Sequence, residues 1–105
     1  MSNRVAINGV EVSTDHYING QRISSEKKFS VINPNNPSEI LAEVSRGDET
    51  TAKLAVSSAR NGFNVWSEMT VDERSLIMHK LADLIDSHVD DISRIECLDM
   101  GMRHE

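Results

Sequence analysis

ILAEVSRGDETTAKLAV, residues 40–56, contains the point at which this chain changes its hydrophobic period. The segment 39–44, EILAEV, alternates in the manner of a half-buried strand. Beyond Gly47 the apolar positions Ala52, Ala55, Val56, Ala59, Phe63 and Trp66 follow a spacing of about 3.6 residues, which is helical. Asp48 stands where an N-cap is required, because its short carboxylate can accept from the unpaired amides of the first turn. The chain therefore divides into a strand-forming half before Gly47 and a helix-forming half after it.

Toward the N-terminus, VAINGVEV (5–12) places Val5 and Ile7 against Val10 and Val12 around Asn8-Gly9. Asn-Gly tolerates positive φ at both central positions and so predicts a tight hairpin. HYINGQRI (16–23) repeats the device around Asn19-Gly20, although a shared ING is too short to make a repeat architecture. FSVINP (29–34) is a further strand, and NPNNPSE (33–39) reads as the turn that returns the chain to EILAEV.

Toward the C-terminus, Thr70 and Glu73 fit a reciprocal capping box and open a second helix with the stripe Ile77, Leu81, Leu84 and Ile85. A third helix begins near Val89 or Asp90, carries Val89, Ile92, Ile95 and Leu98, and stops at Gly101 as C′ residue. Hairpins followed by three helices make an α+β arrangement. With 38% hydrophobic and 4% aromatic residues in 105, the core is expected to be aliphatic and thin.

The net charge of −6 and scattered Lys and Arg leave no basic stripe for nucleic acid and no attraction to an anionic membrane. No apolar run reaches transmembrane length or resembles a signal segment, and one cysteine suits a reducing compartment, so the cytoplasm is expected.

Candidate chemistry is sparse. Cys97 lies near the end of the third helix, between Glu96 and Asp99 in a locally acidic stretch, and falls beside Ser93 and Asp90 on the polar side of the wheel. A helix C-terminus and acidic neighbours disfavour a thiolate, so Cys97 is not read as a nucleophile. His16, His79, His88 and His104 have no metal-ligand spacing. GxGxxG, GxxxxGK[ST] and GxSxG are all missing. Asp99 falls between Ile92 and Ile95 on the apolar side of the wheel, where a carboxylate requires a partner unless the helix frays before it and leaves it in water.

Taken in order, YINGQRI, FSVINPNNPSEILAEV, ARNGF with Trp66, ERSLIMHKLADLIDSH and ECLDMG resemble the N-terminal region of NAD(P)-dependent aldehyde dehydrogenases over residues 16 to 102. LDMG with Met102 looks more like branches acting on semialdehydes from aromatic or muconate breakdown, or on betaine-type aldehydes. Residues 1–15, an extra hairpin or tail, lie outside the shared pattern, and residues 16–105 would be the incomplete N-terminal segment of a cofactor-binding domain.

The resemblance implies an oxidoreductase in which a cysteine thiolate attacks the aldehyde, hydride passes to NAD or NADP, and the thioester is hydrolysed. The nucleophilic cysteine, the general-base glutamate, the oxyanion-hole asparagine and the Gly-rich cofactor turn would all lie beyond Glu105. Catalytic and cofactor-binding residues are therefore expected to be none in this stretch, and it is expected to be inactive alone, as a truncated product, gene fragment or incomplete gene model. The resemblance also implies a monovalent cation, Na⁺ or K⁺, held by main-chain oxygens of Val31 and Ile32 and by Asp99. The partner would be the remainder of the dehydrogenase fold. A stand-alone interaction module that pairs with an intact subunit or another partner is the alternative.

Overall fold

The computed structural model describes residues 3–101 of the 105. Six strands precede three helices: β1 (Arg4–Ile7), β2 (Val10–Ser13), β3 (His16–Ile18), β4 (Gln21–Ile23), β5 (Lys28–Asn33), β6 (Asn36–Ser45), α1 (Glu49–Glu68), α2 (Val71–Ser87) and α3 (Val89–Met100). The strands form three separate antiparallel hairpins, β1–β2, β3–β4 and β5–β6. The α+β expectation holds, with the period change after Gly47 marking the boundary.

Both Asn-Gly turns form as their backbone preferences predict. Asn8 and Gly9 adopt φ values of 51° and 81°, and Asn19 and Gly20 adopt 52° and 72°. Two successive left-handed residues define the turn whose twist matches antiparallel strands. Their registers follow directly, Ile7 opposite Val10 and Ile18 opposite Gln21.

The third hairpin is longer than the sequence suggests. NPNNPSE contracts to a turn at Pro34-Asn35, and β6 already begins at Asn36, so Pro37 lies inside a strand. A strand with one hydrogen-bonded neighbour has an open edge, which tolerates a residue without an amide proton. Register shifts flank Ile32: Val31 faces Ala42, Ile32 faces Ile40 and Asn33 faces Asn36.

Ser45 joins the hairpins. Its amide donates to Thr14 O at 3.0 Å, and its hydroxyl accepts from the Ser25 amide at 3.0 Å and from Lys28 Nζ at 3.0 Å. Lys28 Nζ also donates to Ser24 Oγ at 2.7 Å, and His16 Nε2 pairs with Ser25 Oγ at 2.7 Å. Ser45 is buried, and these partners satisfy its polar atoms. Among the described residues, the buried apolar side chains are Ile18 and Ala42, so the core is as thin as the composition implies.

Each of the first two helices begins on a satisfied cap. Thr51 N donates to Asp48 Oδ1 at 2.9 Å, and the Asp48 amide returns a bond to Thr51 Oγ1 at 3.4 Å. Glu73 N donates to Thr70 Oγ1 at 3.1 Å while the Thr70 amide donates to Glu73 Oε1 at 3.0 Å. The amide of Thr51, then its hydroxyl, hold the Asp48 carboxyl below its ordinary pKa of 3.8. The amide of Thr70, then its hydroxyl, do the same for Glu73 relative to 4.5.

The sign of the resulting pH dependence is fixed by these depressions. Both groups bind more protons when unfolded, so their contribution is complete above the unfolded values and is lost as pH falls through the folded ones. Helicity measured by circular dichroism is expected to fall below about pH 4.5, where carboxylates begin to protonate. Asp48→Asn, which keeps a neutral cap acceptor, is expected to blunt that fall.

None of the three helices buries a residue. The stripe read from the sequence, Ile77, Leu81, Leu84 and Ile85, lies on the surface, and so do Phe63 and Val65 of α1. The radius of gyration is 16.7 Å, against about 13 Å for a compact domain of this length. No helix among the described residues is long and apolar enough to cross a membrane.

Candidate functional site

The β5–β6 turn and the end of α3, the helix that carries Asp99, meet at a polar junction. Gly101 caps α3 in the left-handed conformation at φ 74°, and its amide donates to Cys97 O. Its own carbonyl accepts from Asn35 Nδ2 at 3.0 Å. The turn is internally braced, with the Asn35 amide on Asn33 Oδ1 at 3.0 Å and Asn33 Nδ2 on Glu39 Oε2 at 3.0 Å. A Cβ at position 101 would stand 3.2 Å from Asn35 Oδ1 and 3.3 Å from Pro34 Cβ.

Gly101→Ala is therefore expected to destabilise by about 1–2 kcal/mol, the cost of a left-handed residue with a Cβ, and to loosen the clasp on the turn. Denaturant melts of the two proteins check the magnitude, and Gly101→Asn should recover part of the loss because Asn tolerates this conformation.

Asp99 lies one residue before the end of α3, and Val31 and Ile32 lie on β5, the strand against which α3 packs. The structure thus places the elements carrying these three residues side by side. α3 does not fray before Asp99 but continues to Met100. Asp99 is nevertheless exposed, as is Ile92 on the same side of the helix. Burial does not oblige Asp99 to find a partner: it meets water, as one of the two readings of the wheel had it, without any fraying of α3.

The donor set fits a hard monovalent cation in kind. Main-chain carbonyls and a carboxylate are oxygen donors suited to such ions. The register shifts around Ile32 interrupt the regular ladder, and the negative end of α3 adds to the potential near Asp99. Val31 is half-buried and Ile32 exposed.

The wheel also misplaced Cys97. It is half-buried together with Ser93, Ile95 and Leu98, whereas Val89 and Ile92 are exposed. β2 and β5 pack on this side of α3, so the covered face is rotated away from the stripe of highest hydropathy. His16, His79 and His88 lie on β3, on α2 and between α2 and α3 respectively. Met102 and His104 lie outside the described residues.

The three helix N-termini among the described residues are not shaped to receive a dinucleotide. A pyrophosphate is normally received by open amides at a helix N-terminus after a Gly-rich turn. Here the Asp48 carboxylate already takes the Thr51 amide of α1, Glu73 folds back over the start of α2, and Asp90 and Asp91 stand in the first turn of α3. Three acidic N-termini repel phosphate.

The sequence profile described as the aldehyde dehydrogenase family matches residues 22–105. This chain belongs to the aldehyde dehydrogenase family. It is 35% identical over 88 residues to 5-carboxymethyl-2-hydroxymuconate semialdehyde dehydrogenase of Escherichia coli, covering 84% of this chain and 19% of that protein. It is 38% identical over 90 residues to betaine aldehyde dehydrogenase of Vibrio vulnificus (strain YJ016), covering 84% and 18%. Aldehyde dehydrogenase family 2 member C4 of Arabidopsis thaliana is 37% identical over 92 residues, again 84% and 18%. The chain thus spans less than one-fifth of the length of these relatives. The matched region of this aldehyde dehydrogenase chain takes in β5, β6 and all three helices, together with the clasp between Asn35 and Gly101.

The sequence reading did not find Asn35 as the residue that ties the turn to α3. Its signal was present in NPNN, where consecutive asparagines offer both a turn acceptor and a side-chain amide.

Proposed function

We propose that these residues serve as the N-terminal segment of an NAD(P)-dependent aldehyde dehydrogenase, in the part that surrounds the cofactor-binding sheet, and that the 105-residue chain by itself oxidises no aldehyde. The observation that carries this reading is the uncovered apolar side of α1 and α2. Leu81 and Leu84 are 47% and 50% exposed on a well-capped helix, which is a surface made to be covered. The match to less than one-fifth of each relative's length supports the same reading.

The parent reaction converts an aldehyde to its carboxylate with reduction of NAD or NADP, and semialdehydes or betaine-type aldehydes are the substrate classes of choice. The groups that bind the cofactor and perform the chemistry belong to the remainder of the fold. This chain's own contribution is structural. Val31 and Ile32 would offer main-chain oxygens, and Asp99 its carboxylate, to Na⁺ or K⁺. A bound cation would neutralise the negative end of α3 where it meets β5 and would supply no chemistry to the reaction. The cytoplasm is the compartment proposed.

Incubating the purified chain with NAD⁺ or NADP⁺ and a panel of aliphatic, aromatic and betaine-type aldehydes tests the first point. No cofactor reduction is expected, and saturable reduction by the chain alone would overturn the proposal. If the chain instead works as a module on an intact dehydrogenase subunit, the purified proteins will co-elute at defined stoichiometry.

A further inference from the structure

The hairpin β1–β2 lies before residue 22, where the family match begins. It is nevertheless fastened at both ends. At its base, the Asp15 carboxylate accepts from the Asn3 amide at 2.8 Å and from Asn3 Nδ2 at 3.1 Å. The Thr14 amide donates to Asn3 O at 3.1 Å, and Thr14 O accepts from Ser45 N of β6 at 3.0 Å. The Asn3 amide, foremost, keeps the Asp15 carboxyl below its ordinary value of 3.8. At its tip, Asn8 Nδ2 reaches across to the α3 carbonyl of Arg94 at 3.1 Å.

At the tip the bond joins residues 86 apart in sequence, and at the base Thr14 is tied to a different element, β6. Between them, β1 touches β6 and β2 touches α3. α3 also packs on β5 and on α2, and its end carries the Asn35–Gly101 clasp. The covered side of α3, with Ser93, Ile95, Cys97 and Leu98, is the side that β2 and β5 share.

We propose that the β1–β2 hairpin is an intramolecular strap: Asn8 at its tip and the Asn3–Asp15 latch at its base hold α3 against the β5–β6 hairpin. A strap of this kind sets how often α3 lifts from the sheet without altering either element. Local opening of this sort is read by amide exchange, which reports the stability of each segment separately.

Asn8→Gly is the sharpest variant, because glycine is at home at φ 51° and only the side-chain donor is removed. Asp15→Ala opens the base instead. Hydrogen exchange of the full chain is expected to speed up about three- to tenfold for amides 92–100 in each variant, the scale of one lost hydrogen bond. Amides of α1 should keep their wild-type rates. Unchanged exchange in α3 for both variants would overturn the proposal. So would equal acceleration of α1 and α3, which would mark general loss of stability rather than release of a strap.

Discussion

Leu81→Lys will leave the isolated chain almost unchanged and will severely weaken any full-length dehydrogenase that carries this segment. In the isolated chain Leu81 is on the surface of α2, and lysine forms helix about as well as leucine. The expected change there is within about 0.5 kcal/mol. Once the side of α2 bearing Ile77, Leu81, Leu84 and Ile85 is covered, the same substitution confines an ammonium group without a partner. A cost on the order of 3–5 kcal/mol is expected, as for an uncompensated buried charge. Denaturant melts in the two contexts measure the contrast. A loss of several kcal/mol in the isolated chain would show that α2 already has its partner within these residues. An unchanged full-length enzyme would show that this side never becomes covered.

Ile18→Ala has the opposite profile. Ile18 ends β3 at 9% exposure, and with Ala42 it makes up the buried apolar centre among the described residues. Truncating it removes three carbons from a place where few neighbours can relax inward, for about 2–4 kcal/mol. So large a loss from so small a core is expected to abolish the cooperative melt of the isolated chain. If the melt survives unshifted, the joining of the hairpins does not depend on burial of Ile18.

These two positions show which parts of the fold are local. The Asn8-Gly9 and Asn19-Gly20 turns were readable because positive φ is a property of the dipeptide itself. The starts of α1 and α2 were readable for the same reason, since a cap acts within four residues. The change of period at Gly47 separated strands from helices without any tertiary information. Pro37 was misread as a turn residue because proline is excluded only from the interior of a sheet, and β6 has an open edge. The face of α3 was misjudged because a wheel ranks hydropathy and carries no record of where β2 and β5 will lie. Asn35–Gly101 and Asn8–Arg94 join residues 66 and 86 apart, and no periodicity encodes such pairs.

For the proposed cation site, Asp99, Val31 and Ile32 come from family resemblance alone, while the structure shows that α3, which carries the first, packs on β5, which carries the other two. Asp99 is tolerated because it meets water, one of the two readings the wheel left open, although α3 does not fray to allow it. It sits on an exposed flank rather than beneath a neighbour.

The central proposal is that these residues form one segment of a longer aldehyde dehydrogenase. It is tested most directly by transplanting residues 22–105 in place of the matching segment of the Vibrio betaine aldehyde dehydrogenase. The account predicts a folded chimera that retains dehydrogenase activity, with the same segment inert when assayed alone. A chimera that folds yet has no activity, or a segment that turns over aldehyde by itself, would contradict it.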